Sequence, residues 1–418
     1  MVHPYLRRRT GEEPVSYPSD AVRGVLERTL GVPLFQEQVI KLAMVAAGFT
    51  PGEADQLRRS MAAWKRHGGL EHFREKLSNG MRERGYSEEF ATRIFNQILG
   101  FGEYGFPESH AASFALLAYV SAWLKCHEPA AFVCALLNSQ PMGFYGPSQL
   151  LQDARRHGVE VRAVAVNHSH WECSLEAGTR GRDEPAVRLG FNCVKGLPEE
   201  AARRIVSARA AGEFTQVEML RARAALDRRA LSLLAKAGAL AGMHGHRHRA
   251  NWAALGVEAP LPLYPESHHV EGIPLLRQPT EGADIVADYA SLGFTLGRHP
   301  LALLRPRFDH LQCVTAFEIA QARSDSRVRT AGLVVTRQRP GTATGIVFVT
   351  LEDETGVINV VVWSSLVEAQ RRELLGARLM GVIGKVQREG LVVHLIAEQL
   401  IDHSALLGRL SVASRDFH

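Results

Sequence analysis

The sequence predicts an α+β multidomain chain, helical in its first part and closing on a small β-barrel. Three observations carry this. Apolar residues recur close to every 3.6 positions through Val39–Val45, Phe90–Leu99, Ala111–Leu124 and Ala130–Leu137, the period of one helix face. From about residue 311 to 405 the period changes to two, in short β-branched runs bounded by turn residues. Between them Pro260, Pro262, Pro265, Pro274 and Pro279 crowd a stretch that punctuates rather than builds regular structure.

Residues 1–30 read as a short entry segment, with Pro14, Pro18 and a helix around Asp20 to Leu30. Residues 31–160 read as a helical module whose last helices are punctuated by Pro129 and Pro141. Inside it, Phe101-Gly-Glu-Tyr-Gly-Phe-Pro-Glu-Ser-His110 opens directly onto an apolar helix. Gly102 and Gly105 permit a tight path, Pro107 suits the first turn, and Ser109 can cap free amides. A helix start of this kind suits an anion, and the arginine pair in Leu57-Arg-Arg-Ser-Met61 suits a polyphosphate.

Residues 161–257 begin with a strand pair around Ala165 to Arg188. His168, His170 and Cys173 lie close in sequence there, but no Cys-x-x-Cys or His-x-x-x-His supplies a fourth zinc ligand, so no metal site is assigned. The run Phe191-Asn-Cys-Val-Lys-Gly-Leu-Pro-Glu-Glu resembles a helix-hairpin-helix element, whose hairpin amides grip a DNA phosphate without reading bases. Lys195 and Gly196 are its expected contacts. Pro198 stands where a second glycine is usual and removes one donor. A second unit runs from Asp227 to Leu240 and into His246-Arg-His-Arg249, where Arg247 and Arg249 are the expected phosphate contacts. The plainer reading of this unit is a structural helix pair with a solvated loop.

Residues 258–310 read as a linker region with a short acidic helix and a Gly-Arg-His-Pro300 turn. In residues 311–405, five strands with a helix (Ser364 to Leu374) between the third and fourth give the order of an OB-fold, a barrel that binds single-stranded nucleic acid. Arg329, Arg337, Arg339, Lys385 and Arg388 are expected to line a basic groove, with Phe348 and Trp363 as stacking candidates. Residues 406–418 form a tail.

Composition agrees with this. A length of 418 residues suits two to four domains, and 46% hydrophobic with 22% charged residues excludes a disordered chain or a coiled coil. A net charge of +5 leans towards nucleic acid. Five scattered cysteines read as free thiols in a reducing cytosol. Basic Met1–Arg9 has no apolar stretch behind it, and no run is long enough to cross a bilayer, so neither a signal peptide nor a membrane is expected.

Leu34-Phe-Gln-Glu-Gln38, Ala54-Asp-Gln-Leu-Arg-Arg-Ser-Met61, Tyr104-Gly-Phe-Pro-Glu-Ser-His110 and Ser414-Arg-Asp-Phe-His418 resemble the fingers and tail of the bacterial C-family error-prone DNA polymerases. These are the translesion cousins of the polymerase III alpha subunit. The resemblance runs nearly end to end, from Val2-His-Pro-Tyr-Leu-Arg-Arg-Arg9. It implies template-directed addition of deoxynucleotides across damaged DNA in damage-induced SOS mutagenesis. It places Arg58 and Arg59 near the incoming dNTP, and Tyr104, Ser109 and His110 around the nascent base pair. Such groups act by positioning and charge. The implied partners are primer-template and single-stranded DNA, the sliding clamp and companion mutagenesis proteins, and the implied compartment is the cytoplasm. Gln97-Ile-Leu-Gly-Phe101 comes near a clamp-binding peptide but reads as core.

Nucleotidyl transfer needs two metal ions about 3.5–4 Å apart, held by carboxylates. No Asp-x-Asp occurs; Asp284 with Asp288 reads as a solvated helix face, and Glu352-Asp-Glu354 as a strand-end turn. The family keeps its catalytic aspartates and their Mg2+ in a palm that would lie upstream of Met1. No catalytic residue or cofactor is therefore expected in this chain. It reads as the C-terminal part of a polymerase, inactive alone, or alternatively as a non-catalytic DNA-binding remnant or accessory.

Overall fold

The computed structural model describes residues 2–67, 71–101, 107–143, 145–179, 181–257, 275–340, 345–390, 392–412 and 414–417. The chain divides into two compact units, Met1–Trp123 and Leu124–His418.

The first unit is helical: Val2–Arg9, Asp20–Leu26, Gln36–Ala47, Pro51–His67, Glu71–Glu83 and Glu88–Phe101, then the start of Glu108–His127. Its core joins Val39, Leu42 and Ala46 to Leu57, Leu77, Met81, Ile94 and Ile98, the apolar stripes of four helices. Two backbones meet closely where a Cβ at Gly80 would lie 2.0 Å from the Ala47 carbonyl oxygen, so only glycine fits.

Gln38 is 2% exposed and explains much of the Leu34–Gln38 motif. Its Oε1 accepts from the Leu34 and Phe35 amides at 2.9 and 3.1 Å, and its Nε2 donates to Thr29 Oγ1 at 2.9 Å. One side chain thus satisfies the entrance to its own helix and ties it to the preceding turn. Gln38→Leu would strand those buried groups and is expected to cost about 2–4 kcal/mol. Chemical denaturation followed by helical circular dichroism checks this; an unmoved transition would contradict it.

The second unit opens with helices Pro129–Asn138 and Pro147–Arg156. The sequence places these with the helical module to residue 160. Their buried faces (Val133, Leu137, Leu151, Ala154) instead join the core of the hairpin region, with Val187, Phe191, Ile205, Leu220 and Leu234. Strands β1 (Val161–Arg162), β2 (Ser174–Gly178) and β3 (Gly181–Arg188) form a small sheet in the order β1-β3-β2. Five helices follow: Glu199–Arg209, Val217–Ala224, Arg228–Lys236, Ala241–His244 and Arg247–Gly256. The linker-like stretch contains helices Glu281–Ser291 and Pro300–His310. Residues 258–274, with most of its prolines, lie outside the described residues.

The barrel comprises β4 (Arg327–Gln338), β5 (Val347–Glu352), β6 (Val357–Val362), β7 (Leu379–Glu389) and β8 (Val392–Asp402). Their order β5-β6-β8-β7-β4 is closed by β4–β5 pairing, the OB-fold topology. The tail adds β9 (Arg415–Phe417), which pairs parallel to β4. Val349, Leu351, Ile358, Val360, Val382, Val386 and Leu395 fill the interior, one face of each strand. Among the described residues no helix is long and apolar enough to cross a membrane.

Candidate nucleic-acid interface

Strand register assembles a face on the outside of the barrel. Phe348 pairs with Val361, Val361 with Ile396, Ile396 with Lys385 and Lys385 with Arg327. One straight row therefore crosses five strands, apolar at one end and cationic at the other. A parallel row runs Thr350, Asn359, His394, Gln387. Beside them, Arg329 pairs with Ile383. Lys385, Arg327 and Arg329 are exposed, Phe348, Ile383, His394 and Ile396 are partly so, and Val361 between them is buried at 8% exposure. Arg327 Nε lies 2.7 Å from Glu398 Oε2, and Arg329 Nη1 donates to the Leu311 carbonyl at 3.2 Å. Trp363, two residues beyond Val361, is 50% exposed. A flat apolar strip rimmed by exposed cations can stack bases and meet phosphates.

Two of the cations expected here point elsewhere. Period two places Arg329 and Arg337 on one face, but β4 carries a bulge between Val334 and Thr336 that inverts the alternation. Arg337 pairs with Val349, an interior residue, and is 7% exposed. Its guanidinium donates to the carbonyls of Leu374 and Ala377, to Ser414 Oγ and to Asp416. Arg337 is a clamp beneath the barrel, not a groove residue. Arg388 lies out of phase with Lys385, and its Nη2 donates to the carbonyls of Ala320 and Ala322, at the end of helix Ala316–Gln321. Arg339 is exposed where β4 ends.

The hairpin contacts are also engaged internally. Gly196 takes a left-handed φ of +77° as the turn requires. The Lys195 amide donates to the Ser291 carbonyl at 2.9 Å and its Nζ to the Tyr289 carbonyl at 2.7 Å. This lysine therefore caps the C-terminus of helix Glu281–Ser291, a favourable place for a cation, and desolvation lowers its pKa. Helix Glu199–Arg209 begins with two glutamates, which disfavour a phosphate at its N-terminus. Arg247, with a side chain 12% exposed, is paired with both Asp284 and Asp288. Those two carboxylates, read as a solvated helix face, serve as its counter-ions. Arg249 is half-buried, with Nε unpartnered among the described residues. His246 Nδ1 accepts from its amide, capping helix Arg247–Gly256. Cys173 turns inward to Cys193 while His168 and His170 stay at the surface, so the three do not converge.

In the first unit Arg58 and Arg59 share one carboxylate, with nitrogen–oxygen distances of 2.9 and 2.8 Å to Asp55. The Arg58 side chain is 41% and the Arg59 side chain 74% exposed. Hydrogen bonding from Arg58 lowers the Asp55 pKa, with a further contribution from Arg59. Ser109 and His110 stand in the first turn of helix Glu108–His127, and the His110 ring lies 4.3 Å from that of Phe114. Ser109 is inside the helix, not at its cap. The helix start is instead met by the protein itself: Glu37 Oε2 accepts from the Glu108 amide at 2.8 Å, and Arg28 pairs with the Glu108 carboxylate. The site expected to take an anion thus already has a carboxylate at its entrance. Tyr104 lies outside the described residues.

The comparisons with known proteins fit this order of parts. Residues 1–85 match the family described as bacterial DNA polymerase III alpha subunit finger domain. Residues 158–250 match the helix-hairpin-helix motif, and residues 328–402 an OB-fold nucleic acid binding domain. Over its full length the chain is 64% identical to the error-prone DNA polymerase of Alkalilimnicola ehrlichii, covering 41% of that protein. It is 61% identical to the one from Methylococcus capsulatus, covering 41%, and 59% identical to the one from Pseudomonas aeruginosa strain PAO1, covering 40%. The chain spans about two fifths of the length of the curated relatives it matches.

Proposed function

Because the chain belongs to the bacterial C-family error-prone DNA polymerases, matching their C-terminal part, we propose that it holds single-stranded template and primer-template DNA during translesion synthesis. The cross-strand row Phe348, Val361, Ile396, Lys385, Arg327, exposed at its cationic end and partly so at Phe348 and Ile396, carries this reading. Bases stack on the apolar end while phosphates meet Lys385 and Arg329. Single-strand binding by the full chain tests it. Phe348→Ala is expected to cost about 1–3 kcal/mol of affinity, and Lys385→Ala to reduce the slope of log K against log salt by about 0.7. Two variants binding like the parent would overturn it.

The first unit is read as the nucleotide-side module of the whole polymerase, with Arg58 and Arg59 meeting the triphosphate of a dNTP. Their pairs with Asp55 support this, because exposed ion pairs are worth only about 0–1 kcal/mol and exchange readily for a polyphosphate. In a polymerase containing the further length present in the relatives, Arg58→Ala with Arg59→Ala is expected to lower nucleotide kcat/KM by about ten- to a hundredfold, with DNA affinity little changed. Unchanged nucleotide kinetics would remove the pair from the pocket. Phosphoryl transfer itself is assigned to the Mg2+-binding aspartates of the family's palm, in a cytoplasmic enzyme that also engages the sliding clamp and companion mutagenesis proteins.

A further inference from the structure

We propose that Cys173 and Cys193 form an oxidisable dithiol whose disulfide locks the first hairpin against the small sheet. The two Sγ atoms lie 3.8 Å apart and their residues 20 positions apart in the chain. A disulfide needs about 2.05 Å, so the remaining approach is of side-chain scale. Cys173 immediately precedes β2, and Cys193 ends the turn Phe191–Cys193 that leads into the hairpin bearing Lys195 and Gly196.

The surroundings hold this pair in place. Asn138 binds the backbone of Cys173 with both ends of its amide, Oδ1 accepting from the Cys173 N–H at 2.8 Å and Nδ2 donating to its carbonyl at 2.9 Å. Asn192 is in turn linked to Asn138 Oδ1 at 3.4 Å. A Cβ at Gly190 would lie 2.4 Å from the Trp171 carbonyl oxygen and 2.6 Å from the Cys173 nitrogen, so the glycine lets the two loops close. The Gly190 amide also donates to Cys173 Sγ at 3.4 Å.

The sulfurs are not equivalent. Either thiol can donate across the 3.8 Å contact; the hydrogen bond with Cys193 and the Gly190 amide lower the Cys173 pKa against the opposing effect of burial. The same hydrogen bond and burial raise that of Cys193. The Gly190 N–H aimed at Cys173 Sγ would hold a thiolate there, so Cys173 is assigned as the nucleophile and Cys193 as the resolving thiol. Cys173 itself is buried, and the partly exposed Cys193 in contact with it marks the side from which a small hydroperoxide approaches. The Cys173 thiolate attacks a peroxide oxygen and the O–O bond breaks. Hydrogen peroxide then leaves one oxygen on sulfur as Cys173–SOH and releases the other as water. Cys193 sulfur attacks the sulfenyl sulfur, the S–O bond breaks, and the departing hydroxide leaves as water with the Cys193 proton. Two thiols are oxidised by two electrons and hydrogen peroxide is reduced to two waters.

The test treats the full chain with hydrogen peroxide, blocks remaining thiols by alkylation and maps the peptides. Cys126, the exposed cysteine, is replaced by serine in a parallel sample. The expected result is a Cys173–Cys193 linked peptide in both samples, reversed by dithiothreitol and absent from Cys173→Ser and Cys193→Ser. Amide exchange over residues 189–198 is expected to slow at least severalfold in the oxidised form. Full alkylation of both cysteines, sulfinic acid at either one, or a link from Cys173 to Cys134 instead would overturn the proposal. So would a correct link with unchanged exchange, because the hairpin would then not be locked.

Discussion

Arg337→Ala is expected to remove about 3–5 kcal/mol from the barrel, because it leaves a cluster of buried acceptors without their cation. The Leu374 and Ala377 carbonyls at the end of helix Arg371–Gly376 would lose their donor, and Asp416 its counter-ion. Strand β9 would lose its side-chain tie to β4, since Ser414 and Asp416 both hold Arg337. Lysine would not rescue it, because one ammonium cannot span acceptors on two separate segments. Denaturation with amide exchange read on β4 and β9 checks this. Lys385→Ala, at an exposed position, is the control, expected to stay within about 0.5 kcal/mol while weakening DNA binding. Equal stability losses in the two variants would contradict the separation between clamp and contact.

A comparable loss is expected at Glu352, 3% exposed at the end of β5. Gln152 donates to it at 2.7 Å and Gln149 at 3.4 Å, and His299 Nε2 lies 3.2 Å away. One carboxylate thus fastens the barrel to helix Pro147–Arg156 and to the start of helix Pro300–His310, and the Gly-Arg-His-Pro turn acquires a structural purpose. Its neighbour Asp353, fully buried, accepts from the Thr355, Gly356 and Ala316 amides, and Arg305 adds an ion pair with Glu354. Glu352→Ala is expected to cost about 2–4 kcal/mol and to split the melting of this unit into two transitions.

The same group sets a pH dependence. Burial pushes the Glu352 carboxyl up, but His299 and the two glutamine amides outweigh it and hold the pKa below its ordinary value. A depressed carboxylate gives stability that is present above the unfolded-state pKa and lost as pH falls through the folded one. The loss is therefore expected below about pH 4. Glu352→Gln keeps the shape without the charge, so its stability should fall less steeply there. Melting curves from pH 3 to 7 check this, and parallel curves for parent and variant would contradict it.

The barrel was legible because its turns are chemically explicit. Asp353-Glu-Thr-Gly356 and Arg388-Glu-Gly390 mark two of its hairpins, while the inside face of Val347–Leu351, a run with Thr350 as its one polar residue, is set by the alternation of burial in the fold. The phase of β4 was not legible, because a bulge leaves no reliable mark in a run as uniformly apolar as Ala331–Val335. Ile396 and His394 share period two with the rest of β8, but Val361 lies in a run of three buried valines, so only the pairing register places it in the row. Lys195, Arg247 and the start of helix Glu108–His127 show another limit. A cation or helix end reads as available until the fold brings up a partner distant in sequence, here Tyr289, Asp288 and Glu37. The motif around Gln38 carries a resemblance; its physical reason, two hydrogen bonds closing a helix entrance and a third to Thr29 in the preceding turn, appears only in three dimensions.

The most direct test of the DNA-holding role is photocrosslinking of a single-stranded oligonucleotide to the full chain, followed by peptide mapping. The account predicts adducts on the outward residues of β5, β6 and β8, with Phe348 and His394 prominent, suppressed by salt and by Lys385→Ala. Adducts confined to peptides outside the barrel, or insensitive to that substitution, would contradict it.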